Sequence, residues 1–159
     1  MVSSKRYSQK INAHLNAAKS YAELSYAKRL KVGAVIVRDD RVISIGYNGT
    51  PSGRDNNCEV WIDEKGTKRS TKKFKELPMA VLETKPEVCH AEMNAIMFAA
   101  KHGVSTDGTT LIVTHSPCYE CSKMIVQCGI REVYYEEEYR DQTAVQFLKE
   151  CNILVRKIS

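Results

Sequence analysis

From His90 onward the chain alternates helical and strand patterns without interruption. Helical spacing begins at about 90. Runs at 109–115, 131–136 and 153–157 read as strands, with helices at 118–128 and 142–151 between them. Strands joined by such helices pair in parallel, because a parallel connection needs a crossover of about a dozen residues. Upstream, Ile11, Leu15, Ala18, Ala22 and Tyr26 recur at helical spacing, which predicts an amphipathic helix over 8–30. In "VGAVIVRDDRVISIGYN", two β-branched runs flank Asp39-Asp40-Arg41 and read as a hairpin. The sum is one α/β domain over residues 1–159. It is an α/β/α sandwich of three layers, with a mixed sheet of about five strands in the order 2-1-3-4-5. Between Asn48 and about Pro86 the pattern loosens into a long excursion, of the kind that is often functional or flexible.

Composition narrows the setting. Apolar residues make up 43% and charged residues 27% of the chain, as in an ordinary globular protein. No apolar run approaches the ~18 residues that span a bilayer. "MVSSKRYSQKINAH" lacks the apolar core of a secretory signal. The expectation is a cytoplasmic protein with no membrane partner and reduced cysteines, which favours metal binding or catalysis for clustered thiols. Part of the +5 net charge sits in "KGTKRSTKKFK", residues 65–75. Such a run reads as a solvated loop face, with phosphate or nucleic-acid contact as the sharper alternative.

Two short stretches carry the chemistry. In "SPCYECSKMIVQCG", Pro117 suits a first helical turn, and Cys118 and Cys121 share one face of it. A helix N-terminus stabilises thiolates. On its own the pair is equally half of a zinc site or a thiol redox pair. His90 breaks the tie, because it too follows a loop and opens a helix. One His and two Cys make the three-ligand set of a catalytic zinc that leaves a position open for water. Glu92 lies within reach of that water without ligating, as a proton shuttle needs. A lone His-x-Glu would read as a core histidine beside a capping glutamate; the Pro-Cys-x-x-Cys downstream decides against that.

His-x-Glu followed by Pro-Cys-x-x-Cys is the signature of zinc nucleobase deaminases. The chain resembles deoxycytidylate (dCMP) deaminases over nearly its whole length. The resemblance is carried by "KVGAVIVRDDRVISIGYNGTPSG", "VCHAEMNAI", "SPCYECSKMIVQCGIREVYY" and "EYRD". It implies the cytidine-deaminase-like sandwich and hydrolysis of dCMP to dUMP and ammonia, upstream of thymidylate. One zinc per chain would activate water for attack at C4. Glu92 would carry protons to N3 and then to the departing amino group.

The resemblance also implies substrate contacts. The Ala91 N–H would hold the pyrimidine O2. Asn48, otherwise a turn residue, would bind the sugar hydroxyl. Tyr139, otherwise surface packing, would line the nucleotide site. Ser25 would lie near the phosphate with "KRLK" supplying cations, or else simply end a helix. Ser116 would support the zinc loop or touch the nucleotide.

In the family the loop matching "NGTPSGRDNN" forms an effector site. Gly49, Gly53 and Arg54 would there take a triphosphate with Mg2+. The implied behaviour is a homo-oligomer, a hexamer, activated by dCTP and inhibited by dTTP. Some members hold a second, structural zinc. Here His14, His102 and His115 have no obvious ligand spacing, and Cys58, Cys89, Cys128 and Cys151 read as packing residues, with Cys58 and Cys89 as loop ligands the alternative. Competing readings are a dCTP deaminase, a deaminase of adenosine in tRNA, and a zinc-stabilised binding module. Nucleic acid is not the expected partner. Glu92 argues against the module, because a structural zinc needs a fourth ligand rather than a free base.

Overall fold

Strand β1 (Gly33–Arg38) and strand β2 (Arg41–Tyr47) form the predicted hairpin. Its turn residues Asp39 and Asp40 both take positive φ, 49° and 61°. That is the conformation of a tight turn matching strand twist, and Asp tolerates it better than most residues. The computed structural model of the chain describes residues 4–63, 65–69 and 80–158.

Strands β6 (Thr110–His115), β7 (Glu132–Glu137) and β8 (Leu154–Lys157) complete the main sheet in the order β2-β1-β6-β7-β8. β6 is antiparallel to β1, whereas β6, β7 and β8 are mutually parallel. This is the expected mixed sheet, with helices α3 (Tyr119–Gln127) and α4 (Thr143–Glu150) as the crossovers.

The pleat divides the core into two layers. Val35 and Val37 face helix α1 (Ser4–Ala22), where Ile11, Leu15 and Ala18 meet Ile112 and Tyr134. Ala34 and Ile36 face the other way, towards helix α2 (Ala91–Lys101), and join Leu111, Val113, Ile125 and Leu148. Alternation along β1 therefore fills both faces, as a strand covered on two sides requires. Fully buried side chains such as Ile36, Leu111 and Ile125 each contribute about 1.5–3 kcal/mol through burial.

Two glycines set how closely the layers approach. A Cβ on Gly33 would collide with the Ala18 carbonyl of α1, and one on Gly46 with the Ala91 carbonyl of α2. The Ser44 hydroxyl also donates to the Ala95 carbonyl at 2.6 Å. α2 is thus seated directly on β2.

Two expectations are corrected. The first helix ends at Ala22, not near 30, and Tyr26 is exposed. The following N–H groups have other acceptors: Ala27 donates to Ser25 Oγ, and Lys28 and Arg29 donate to Glu59 Oε1. The excursion is also more ordered than its pattern suggests. Strands β3 (Glu59–Ile62), β4 (Lys68–Arg69) and β5 (Val81–Thr84) form a small antiparallel sheet in the order β4-β3-β5. Most of the basic run, residues 70–75, lies outside the described residues. Among the described residues no helix is long and apolar enough to cross a membrane.

Candidate metal centre and catalytic pocket

His90 is the N-cap of α2 and Cys118 the N-cap of α3. Both have extended backbones, and neither side chain caps its own helix. The imidazole and thiol are therefore free to face one another across the two helix ends. Cys121, in the first turn of α3, brings the second sulfur. His90 Nδ1 lies 3.4 Å from Cys118 Sγ and 3.5 Å from Cys121 Sγ. A tetrahedral zinc with ordinary Zn–N and Zn–S lengths holds such atoms about 3.6 Å apart. All three ligand atoms lie within 4.8 Å of one another. The donor set and its spacing fit one zinc ion.

The electrostatics suit a cation. The Cys118 thiol is pulled down to about 4, first by the hydrogen bond from Cys121 and then by His90. The Cys121 thiol is pushed up, because it holds the proton that the two sulfurs share. The hydrogen bond with Cys118 also raises His90 against the opposing effect of burial. Two helix N-termini converge here, and their partial positive charge adds to thiolate stabilisation. Glu92, on the first turn of α2, is 4% exposed. Burial raises its carboxyl above the usual range.

The centre forms the floor of a cavity of about 410 Å³. His90, Ala91, Glu92, Cys118, Asn48 and Ser116 line it, together with Tyr139, which is 43% exposed. Ala91 is fully buried and is the first residue of α2, so its N–H has no acceptor within the helix.

The remaining expected residues are placed differently from one another. Asn48 lines the cavity while bracing its wall: Oδ1 accepts from Val32 N–H at 2.8 Å, and Nδ2 donates to Leu30 O at 2.8 Å. Ser25 is buried outside the lining, where its hydroxyl donates to Asn48 O at 2.7 Å. The Ser116 hydroxyl accepts from Tyr139 N–H at 2.7 Å and so fixes the mouth. Gly49, Gly53 and Arg54 lie outside the lining, with Gly53 and Arg54 exposed.

Sequence patterns single out neither Thr84 nor Arg140, offer His115 only as a histidine without ligand spacing, and offer Arg29 only as one cation of "KRLK". All four line the cavity. Arg29 donates to Thr84 Oγ1 at 3.2 Å. Burial lowers the His115 imidazole, against Glu137 and Glu136 nearby. Arg140 adjoins Tyr139 in "EYRD", which was its one available signal. Thr84 had none, because its strand went unrecognised.

Fold and site together define a three-layer sandwich with a His/Cys/Cys metal set at paired helix N-termini. The chain belongs to the cytidine and deoxycytidylate deaminase family, whose zinc-binding region matches residues 8–137. It is 41% identical to ComE operon protein 2 of Bacillus subtilis, in a match covering 79% of this chain and 58% of that protein. It is 40% identical to deoxycytidylate deaminase of Enterobacteria phage T4, over 69% of this chain and 68% of that one. The structure resembles dCMP deaminase of cyanophage S-TIM5, crystallised with dCMP and dUMP. The TM-score is 0.77 and the identity 38%, covering 92% of this chain and 95% of that one.

Proposed function

We propose that the chain is a single-domain, zinc-dependent deaminase that hydrolyses dCMP to dUMP and ammonia. The observation that carries this reading is the convergence of His90 Nδ1, Cys118 Sγ and Cys121 Sγ beside the buried Glu92 carboxyl. Three ligands with a base alongside make a hydrolytic centre rather than a structural one.

His90, Cys118 and Cys121 would hold the zinc. When bound, it supplies Lewis acidity, which makes water a nucleophile near neutral pH. Glu92 does the proton work. Its carboxylate takes a proton from the attacking water and delivers it to pyrimidine N3. It then passes a proton to the amino nitrogen at C4, so that ammonia departs. Burial favours the protonated carboxyl, which suits a group that must give the proton back. The Ala91 N–H receives pyrimidine O2, and Asn48 uses its second amide hydrogen for the sugar. Tyr139, held by Ser116, closes over the nucleotide. Arg29 and Arg140 give the mouth positive charge for the 5′-phosphate. Ser25 acts from behind, through the Asn48 carbonyl.

The same reading extends to regulation in a cytoplasmic hexamer, with dCTP activating and dTTP inhibiting. The loop from Gly49 through Gly53 to Arg54 would take the effector with Mg2+. In support, that loop opens at Asn48, a wall residue of the cavity.

The deciding experiment measures ammonia release from dCMP, dCTP, deoxycytidine, cytidine and an RNA hairpin side by side. Efficient turnover is expected with dCMP alone. Comparable efficiency on deoxycytidine and dCMP would overturn the nucleotide reading, and preference for the hairpin would move the chain to RNA editing.

A further inference from the structure

The cavity wall at residues 27–32 has no regular structure, yet several of its backbone groups are held by side chains. Asn48 holds Leu30 O and Val32 N–H, and Ser25 holds Ala27 N–H. The third brace comes from the small sheet. Glu59 Oε1 accepts from Lys28 N–H at 2.8 Å and from Arg29 N–H at 3.2 Å. Glu59 is 2% exposed, and among the described residues no hydrogen bond reaches its other carboxylate oxygen. An unpartnered oxygen on a buried acid costs stability, so packing alone does not select this residue.

The geometry around Glu59 points to the cavity. Its direct cross-strand partner is Thr84, and Thr84 Oγ1 receives the Arg29 guanidinium. One pair of facing residues therefore holds Arg29 at both ends, Glu59 by the main chain and Thr84 by the side chain. Arg29 and Thr84 both line the cavity, whereas Glu59 stands behind them.

We propose that Glu59 is a positioning residue, which fixes the Arg29 loop so that its guanidinium meets the phosphate of a nucleoside monophosphate. The small sheet then belongs to the substrate-binding apparatus. This rests on the nucleotide reading above and extends it. A preset guanidinium loses less freedom on binding than a mobile one, so the effect falls on the phosphate rather than on the base. Removing the carboxylate leaves two N–H groups without their acceptor and frees the loop to shift.

The test is calorimetric binding of dUMP and of deoxyuridine, which needs no turnover. The readout is the preference for dUMP over deoxyuridine. Glu59→Ala is expected to lower that preference about tenfold or more, the scale of a lost charge-assisted contact. Glu59→Gln keeps an acceptor at the same reach and is expected to restore most of it. If Glu59→Ala does not fold, Glu59→Asp carries the comparison, because it keeps the charge but falls short of the two N–H groups. Arg29→Ala should lower the preference at least as far, and adding Glu59→Ala should then change it little. An equal loss from Glu59→Ala in both backgrounds would overturn the proposal, as would a wild type with no preference. If the preference depends on both residues but dCMP is not deaminated, this inference stands and the deaminase reading fails. If dCMP is deaminated and Glu59→Ala leaves the preference intact, the reverse holds.

Discussion

Gly49 and Cys89 exchange two backbone hydrogen bonds, from Gly49 N–H to Cys89 O at 3.0 Å and from Cys89 N–H to Gly49 O at 2.9 Å. Asn48 immediately precedes this bridge and His90 immediately follows it. The loop that begins at Gly49 is therefore tied to one wall residue and one metal-ligand position. The loop closes on itself through Thr50 Oγ1 donating to Asp55 O at 2.7 Å, leaving the Arg54 side chain exposed. An effector that orders it would act on both ends of the bridge, which is a physical route for coupling two sites.

At sub-saturating dCMP, dCTP with magnesium is expected to raise turnover several-fold and dTTP to lower it. Arg54→Ala should lose both responses. Hyperbolic kinetics indifferent to both nucleotides would reject the regulation and leave the catalytic assignment untouched.

Metal content separates ligand from base. Wild type should carry one zinc per chain, Cys118→Ala should lose it, and Glu92→Gln should retain it. Turnover in Glu92→Gln should fall by about 10²–10⁴-fold, because the proton shuttle is gone while the ligands remain. Elemental analysis beside an ammonia assay reads both. Zinc lost from Glu92→Gln but kept in Cys118→Ala would refute the assignment.

Glu92 also has a predicted effect on stability. Burial raises its carboxyl above the ordinary 4.5, so the native state binds this proton more tightly than the unfolded chain. That contribution is fully present below 4.5 and is lost as pH rises through the raised value. At pH 7 the unfolded chain therefore gains from ionising this carboxyl, a gain that glutamine does not offer it. Metal-stripped Glu92→Gln should melt above metal-stripped wild type at pH 7, with the gap closing below pH 4.5. Chelation matters here, because a cation beside the carboxylate acts in the opposite direction. A gap that widens on acidification would contradict the burial argument.

The main sheet and metal set were legible because each rests on a short, strong signal. The β-branched runs of β1 and β2, Asp39-Asp40 at the turn and the regular spacing of β6, β7 and β8 point to the strand order found. His-x-Glu and Cys-x-x-Cys place four side chains through helix geometry alone. The cavity wall was not legible. Glu59 and Thr84 lie on four-residue strands without alternation, far from Arg29 in sequence, and only pairing of β3 with β5 brings them together. Helical spacing through Tyr26 misled for a similar reason. Past the end of α1, Lys28 and Arg29 donate to a carboxylate from β3, which no local window contains.

The seating of α2 on β2 sets the geometry of the site. This helix carries His90 at its cap and Ala91 and Glu92 in its first turn, so its height above β2 sets the depth of three site residues at once. Gly46 permits that height, since any Cβ there would strike the Ala91 carbonyl and the Ala95 N–H group. Neither atom belongs to a flexible side chain that can move aside. The Asn94 side chain donates to Tyr47 O at 2.8 Å, and Ser44 holds the Ala95 carbonyl. These tethers resist lateral escape. Gly46→Ala must therefore lift the N-terminal half of α2 or bend β2, at about 1–3 kcal/mol. In a domain of this size that corresponds to a melting point lower by roughly 2–10 °C. Displacement of a base by about 1 Å costs on the order of 10² in rate, so activity should fall further than stability alone explains. Melting, zinc content and dCMP turnover on one sample decide the matter. Wild-type values for all three would show that α2 is not held by its contact with β2.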